Sequence, residues 1–425
     1  MSTVEGWKTE QLGAVIKDIG DGGTPNTNKK EYFDGSIPWV VIQDICKEIS
    51  KTKTTLTPLG LKSCSAKLWP AGSVILSTGA TIGEVGLAEV PVATKQGIHG
   101  IVCKEELLSS YLYYKLQTLR EFLNANAQGS TIREVRATFL RTIPIAFPTS
   151  KIEQAKIAEI LSTVDRAIEQ TEALIAKQQR IKTGLMQDLL TRGIDEHGNL
   201  RSEKTHKFKD SSLGRIPVEW EVCELETVAE FVTSGSRGWA RYYSAEGAMF
   251  LRIGNLTRNH INLRLNDIVL VNPPRTSEGK RTSVSTGDLL ISITADLGII
   301  GVIPEGFGEG YVNQHIALVR LVPAKVNARF MGWFLSGRGG QKQFEKLNES
   351  GAKAGLNLPT IKKLLVPVMN STEQAGIAEI LDTNTNRVND LYLMLSKLRS
   401  LKTALMQDLL TGKKCVTALL DDMEE

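Results

Sequence analysis

The residues of this chain that could do covalent chemistry are few and badly spaced for it. Its 425 residues hold five histidines (His99, His197, His206, His260, His315) and five cysteines (Cys46, Cys64, Cys103, Cys223, Cys415). None of them forms an HExxH or CxxC pair, so their spacing predicts neither a zinc site nor a disulfide framework. No GxxxxGK[ST] loop is present to cradle a nucleotide phosphate, and no GxSxG elbow to present a nucleophile. What the sequence does offer is hydrogen-bonding groups in glycine-rich segments. In the first half these are Thr24, Asn26, Asn28, Lys29 and Lys30, then Ser77, Thr78 and Thr81, then Lys95 and Gln96, then Thr131, Arg133 and Arg136. In the second half they are Ser234, Ser236, Arg237, Trp239, Arg241 and Tyr242, then Thr294, then Asn313, Gln314 and His315, then Lys353 and Asn357. Arg and Lys can pair with guanine edges or phosphates, Asn and Gln with adenine, Ser and Thr with either. Glycine lets backbone approach a partner closely. Ordinary polar turns have the same composition, so residue type alone leaves both readings open.

The bulk properties narrow the class. Apolar residues make up 41% of the chain, enough for well-formed cores. A net charge of +4 neither demands nor excludes a nucleic-acid partner, because Lys and Arg can be gathered on one face. Scattered, unpaired cysteines predict reduced thiols and a cytoplasmic protein. The opening MSTVEGWKTEQLG lacks a basic segment followed by an apolar one, so no signal peptide is expected. No run of about 18 apolar residues predicts a membrane span.

The elements that must position those loops are written twice. Residues 153–191 and 373–411 match without a gap at 19 of 39 positions, and the identities gather at the two ends, EQA-IAEIL and KT-LMQDLLT. Both copies carry an apolar stripe at alternating spacings of four and three, the period of a coiled coil. In the first copy it is Ile157, Leu161, Val164, Ile168 and Ile175, and in the second Ile377, Leu381, Val388, Leu391, Leu395 and Leu398. Ile160, Ala167, Leu174 and Ile181 widen the first stripe, and Met394, Leu401 and Leu405 the second. Ser150 before Glu153 and Asn370 before Glu373 predict capping boxes, and Gly193 and Gly412 predict stops. Helices of about 40 residues would be rods of roughly 60 Å. Length and duplication predict that the two pack on each other, with polar Thr171, Gln178 and Asn384 setting the register.

The stretches before the helices are related more faintly. IPWVVIQDI (Ile37 to Ile45) parallels MFLRIGNL (Met249 to Leu256), AGSVILSTGATIGEVG parallels TGDLLISITADLGIIG, and TKQGI parallels VNQHI. These are short β-rich runs with glycine turns, each followed by a helical stretch. The predicted fold is therefore α+β with a pseudo-two-fold internal repeat, two β-rich domains separated by two long helices in an antiparallel coiled coil. The boundaries are a first β-rich domain over 1–149, a helix over 150–193, a linker over 194–217, a second domain over 218–369, a second helix over 370–412 and a tail over 413–425.

This arrangement resembles the specificity subunit of type I restriction-modification systems, and the resemblance covers essentially the whole chain. EQ-x2-IAEIL after a proline-containing strand resembles the start of that family's long helices, and LMQDLLT their ends. FKDSSLGRIPVEWEV (Phe208 to Val222) resembles its join into the second domain. GDGGTPNTNKKEYFDGSIPW (Gly20 to Trp39) and SGSRGWARYY (Ser234 to Tyr243) resemble two of its recognition-domain types. The resemblance implies two target-recognition domains, each reading one half of a split asymmetric DNA site, with paired helices fixing the gap. It implies two docked methyltransferase subunits using S-adenosylmethionine, a separate motor-nuclease subunit using ATP and Mg, and neither cofactor nor catalytic residue in this chain. It also assigns the polar residues named above to DNA, Arg133, Arg136, Arg237 and Arg241 foremost. Val271-Asn272-Pro273-Pro274-Arg275 is similar to the Asn-Pro-Pro-aromatic motif of adenine methyltransferases, but Arg275 replaces the aromatic that would stack on an extruded base. A proline turn is the simpler reading. A coiled-coil scaffold that gathers proteins without reading DNA is the alternative function.

Overall fold

The heptad stripes fold as two long helices, α1 (Lys151–Arg192) and α2 (Ser371–Leu409). The computed structural model describes residues 5–129, 133–235, 237–273, 276–349 and 356–416. The chain divides into two units, Met1–Glu172 with Leu393–Glu425, and Ala173–Tyr392, so that each long helix contributes to both.

Both helix starts are capped from one side only. The Glu153 N–H donates to Ser150 Oγ at 3.4 Å and the Glu373 N–H to Asn370 Oδ1 at 2.8 Å. The carboxylates are not turned back in the expected reciprocal box; Glu153 accepts from the Trp7 indole at 3.3 Å and Glu373 from the Trp220 indole at 3.1 Å. Both carboxylates are buried, and an indole N–H reaches them there where water does not. At the end of α1, Gly193 has φ +64°, and a Cβ there would lie 2.1 Å from Glu373 Oε1, so only glycine fits the stop.

In the first unit, strands β1 (Ile16–Gly20), β2 (Phe33–Val40), β3 (Val74–Ser77), β4 (Val85–Ala88), β5 (Val92–Thr94) and β6 (Ile98–Cys103) build two sheets. One runs β1-β6-β3-β4 with Glu48–Ile49 at its edge; the other pairs β2 and β5 in parallel between Thr55–Leu56 and Leu68–Trp69. The core joins Leu76, Tyr111, Leu112 and Phe147 to Ile157 and Leu161 of α1, to Leu409 of α2 and to Leu410 just beyond it. Within this unit the helices run antiparallel, with Lys402 bonded to Asp165 and Arg399 to Glu172, each at 2.7 Å.

The second unit repeats the plan with β7 (Ala229–Ser234), β8 (Ala248–Leu251), β9 (Leu289–Ser292), β10 (Ile300–Val302), β11 (Gly310–Val312) and β12 (Ile316–Leu321). The order is β7-β12-β9-β10, and β8 pairs with β11 in parallel beside Val269–Val271 and Tyr243–Ser244. Its core joins Ile291, Phe330, Trp333 and Phe334 to Ile377 and Leu381 of α2 and to Leu189 and Leu190 of α1. Each helix therefore starts on the lobe that precedes it in sequence and ends on the other lobe. That places both sequence-identical ends, EQA-IAEIL and LMQDLLT, against lobe cores and explains why identity is concentrated there.

Between those ends the stripe is narrower than the sequence predicts. Val164, Ile175, Val388 and Leu395 are buried and Ile168, Leu391 and Leu398 half-buried. Leu174, Ile181, Met394 and Leu401, expected to widen it, are exposed by 46%, 40%, 51% and 47%. A two-helix seam covers only the a and d positions. Of the polar residues, Asn384 Nδ2 donates to Gln178 Oε1 at 3.3 Å, a register contact within the second unit. The Thr171 hydroxyl instead donates to Ala167 O of its own helix at 2.7 Å.

Candidate nucleic-acid interface

The same hydrogen-bonded frame occurs in both lobes and carries the polar loops at its rim. In the first lobe the Lys95 N–H donates to Val40 O at 3.0 Å, tying the loop after β5 to β2. The Val41 N–H donates to Asp44 Oδ2 at 3.0 Å, closing the turn after β2. The Gly83 N–H donates to Ser77 O and the Glu84 N–H to Ser77 Oγ, and the Ser77 hydroxyl donates to Thr81 O, folding the loop after β3. In the second lobe Asn313 N–H to Leu251 O, Arg252 N–H to Asn255 Oδ1, Gly298 N–H to Ser292 O and Ile299 N–H to Ser292 Oγ repeat these bonds. The Ser292 hydroxyl likewise donates to Asp296 O.

This frame sorts the candidate residues. Ser77 and Thr78 are fully buried, and the Thr78 hydroxyl lies 2.8 Å from His99 Nδ1, so these two hold the loop rather than face a ligand. Burial keeps His99 below the usual imidazole pKa, against the pull of Asp21 at 3.8 Å. Thr81, Lys95 and Gln96 are exposed at the rim. Thr24, Asn26, Asn28, Lys29 and Lys30 form an exposed loop in which Asn26 Oδ1 accepts from the Asn28 N–H and Lys29 Nζ reaches Tyr32 Oη at 3.2 Å. Arg133 is exposed and spends one N–H on Asn124 O, and Arg136 is exposed just before a short helix.

In the second lobe Trp239 is 2% exposed and stacks on Phe250 at 5.5 Å, in an aromatic cluster with Tyr242 and Tyr311. It is the footing of its loop, because an indole of that size is worth more in a core than in water. Arg237 and Arg241 stand exposed beside it, Arg241 with its guanidinium 4.8 Å from the Tyr242 ring centre. The Ser234 carbonyl is held by Arg281 at 2.6 Å. Thr294 Oγ1 lies 2.8 Å from His315 Nδ1, Gln314 Nε2 lies 3.0 Å from His315 Nε2, and Asn313 Oδ1 accepts the His315 N–H. Asn357 caps a short helix through the Thr360 N–H at 2.9 Å. Thr131, Ser236 and Lys353, like Arg275, lie outside the described residues.

Sequence reasoning missed Gln43. It sits in the turn after β2, on the edge of a 210 Å³ cleft shared with Thr81, Lys95 and Gln96. The signal was present in the alignment of IPWVVIQDI with MFLRIGNL, where the capping Asp44 and Asn255 match but Gln43 faces Gly254. Among the described residues no group of three His, Cys, Asp or Glu could hold a metal ion, and no helix is long and apolar enough to cross a membrane.

Comparison with known proteins agrees with this two-fold plan. A family model described as the type I restriction modification DNA specificity domain matches residues 4–178 and again 217–392. The MjaIX type I specificity subunit of Methanocaldococcus jannaschii is 33% identical over 254 residues, 57% of each chain, so the match spans little more than half of that relative. The MjaVIII specificity subunit of the same organism is 22% identical over 96% of this chain and 93% of its own. Among solved structures, a type I S subunit from M. genitalium superposes with a TM-score of 0.62 at 17% identity, covering 96% of this chain and 97% of its own. A chain from a study of complex assembly in a type I system gives 0.53 at 17%, covering 96% and 98%. At that identity the two structures speak for the fold.

Proposed function

The chain belongs to the type I restriction-modification DNA specificity family, and from that premise we propose that it selects the DNA site for a methyltransferase complex, each lobe reading one half of a bipartite, asymmetric sequence. The observation that carries this reading is the frame itself, which occurs twice with the same backbone bonds and with different polar side chains at its rim. Two half-sites of different sequence follow from that difference. The chain performs no chemistry. Methyltransferase subunits bring S-adenosylmethionine, and a motor-nuclease subunit brings ATP and Mg. The work is done on DNA in the cytoplasm.

Docking of the methyltransferase subunits falls to the helices. Leu174, Ile181 and Tyr392 in one unit, and Leu393, Met394 and Leu401 in the other, leave large apolar side chains exposed at the helix surface. The unread gap between half-sites is set by the length of the helix pair. A scaffold without DNA readout fits less well, because the family model spans both lobes and not the helices alone.

The test is an exchange of lobes. With residues 1–149 replaced by the corresponding lobe of a relative, methylome sequencing of a host carrying the hybrid and its methyltransferase should show one half of the motif changed. The other half and the gap should stay the same. A change in both halves would overturn the modular reading.

A further inference from the structure

We propose that Gln43 is a base-reading residue of the first lobe and that the base it reads is an adenine; this rests on the DNA-selecting function above. The cleft beside it has a volume of 210 Å³. Pockets that enclose small molecules run from about 300 to 1,000 Å³, so this one is too small to take up a free metabolite and is open instead to the edge of something larger.

Its rim is built from three segments that the frame holds rigidly together: the turn after β2, the loop after β3 and the loop after β5. Asp44 closes the first, Ser77 the second, and the Lys95 N–H the third. Gln43, Thr81, Lys95 and Gln96 are exposed, and their side chains make no hydrogen bond or ion pair with any described residue. Lys95 rests its ammonium 6.0 Å from the Trp39 ring centre, and the other three polar groups stand unbonded on a fixed backbone, open to an external partner.

Chemistry then separates them. A glutamine amide places one donor and one acceptor side by side, which matches N7 and the N6 amino group of adenine, whereas lysine matches guanine or a phosphate. Gln96 carries the same amide but aligns with Gln314 of the second lobe, whereas Gln43 has no amide counterpart there. The same frame position in the second lobe is Gly254, with no side chain, and the turn is otherwise preserved by Asn255. A position that is indispensable to the turn would not tolerate both residues. One that reads sequence would.

The experiment uses the full chain expressed with its methyltransferase subunit and reads the methylome. In Gln43→Ala, preference for one base of the first half-site should fall about tenfold, while the second half-site and the gap stay unchanged. In Gln43→Glu, whose carboxylate only accepts, that same position should turn from adenine toward cytosine. The side chain is exposed, and continued methylation in either variant reports an intact fold. Unchanged preference at every position in Gln43→Ala would overturn the inference, and so would an equal loss on all sequences, which would mark a phosphate contact. Absence of any sequence-selective methylation by the unmodified protein would instead overturn the function on which it rests.

Discussion

The two lobes share a backbone frame and differ in what they leave free. In the first, the side chains at the rim of the frame, Gln43, Thr81, Lys95 and Gln96, make no hydrogen bond or ion pair with the described residues, and Lys95 lies over the Trp39 ring. In the second, the corresponding loops are tied to one another through His315, and the exposed cations, Arg237 and Arg241, stand instead beside the aromatic cluster around Trp239, Arg241 over the Tyr242 ring. The interior diverges as well. Ser73, whose hydroxyl bonds Pro70 O at 2.7 Å, corresponds to Asp288, which is 1% exposed and paired with Arg320 at 2.7 Å. The bonds that fold the lobe are the same in both copies, while the side chains at the rim differ. Conservation of frame with drift of rim is what a protein needs to acquire a new half-site without losing its fold.

The largest expected difference lies where each long helix begins. Glu373 accepts from the Trp220 indole, the Ile194 N–H and the Arg201 guanidinium, and both charged side chains of that pair are at most 7% exposed. Replacing Glu373 with Ala strands a buried cation and should cost about 3–5 kcal/mol in urea unfolding. Among the described residues the first unit offers no such cation, and the only hydrogen-bond donor to the Glu153 carboxylate is the Trp7 indole at 3.3 Å. Burial raises the Glu153 carboxyl above the usual range, the Trp7 bond opposing it. A carboxyl raised in the folded state is ionised more easily in the unfolded chain, so this group weakens the fold as pH climbs through its folded value. Glu153→Gln keeps an acceptor for Trp7 and removes that cost. It should equal or exceed the parent in stability near neutrality and lose the advantage in acid. A large loss in both variants would mean that the two helix starts are equivalent after all.

A smaller effect is expected at the second lobe's exposed cations. Arg237→Ala or Arg241→Ala should weaken binding of the specific duplex by about 1–3 kcal/mol if the guanidinium reads a base. A phosphate contact would lower affinity for all sequences and flatten the salt dependence. Titrations of specific and unrelated duplexes at two salt concentrations separate the outcomes. If neither changes, the second lobe reads from His315 and its neighbours, and the contrast between the lobes is weaker than their surfaces suggest.

Much of this was legible in the sequence, for physical reasons that also mark where it stopped. The long helices declared themselves through a period that only a buried seam maintains. The exchange of helix ends between lobes did not, because Leu189 and Leu409 are equally apolar whichever lobe they cover. Leu174 and Met394 read as interior by type and lie outside, since hydropathy cannot say how many neighbours a helix has. At the rim, Ser77 and Thr78 have the composition of a contact loop but end a buried strand, and Trp239 anchors the loop it was expected to arm. Polar type gives the chemistry a residue can do; burial decides whether a ligand meets it.

The aligned lysines Lys182 and Lys402 offer a gentler contrast. Lys402 is paired with Asp165 at 2.7 Å in the first unit. Lys182, in the second, lies over the Trp333 ring at 4.7 Å and donates to Asn259 O; burial pushes its pKa down to about 8, against the pull of Asp382. An ammonium depressed in the folded state is deprotonated there before the unfolded chain releases its proton. The second unit should therefore gain stability as pH rises from about 8 toward the ordinary 10.5. Lys182→Met should abolish that rise. Lys402→Met should lower stability across the range by leaving Asp165 without its cation. Urea unfolding followed through tryptophan fluorescence over this interval distinguishes the two.

The smallest effect, a gain in base preference, is expected from building the first lobe's rim into the second. Gly254 occupies the frame position of Gln43, and a Cβ added there meets nothing within 4 Å. Its φ is not among the positive values that would strain a side chain. Gly254→Gln should thus fold without penalty, because the turn is held by Asn255 rather than by residue 254. A flexible amide must order several rotors on binding, and the neighbouring loops, already tied to His315, offer few free groups to share a base edge with it. That cost should hold the gain to a few-fold preference for adenine at one position of the second half-site, well below the loss expected from Gln43→Ala. Methylome sequencing of the variant reads the preference directly. A second half-site identical to the parent's would mean that the turn after β8 does not face DNA, and that the two lobes present different sides of the same frame.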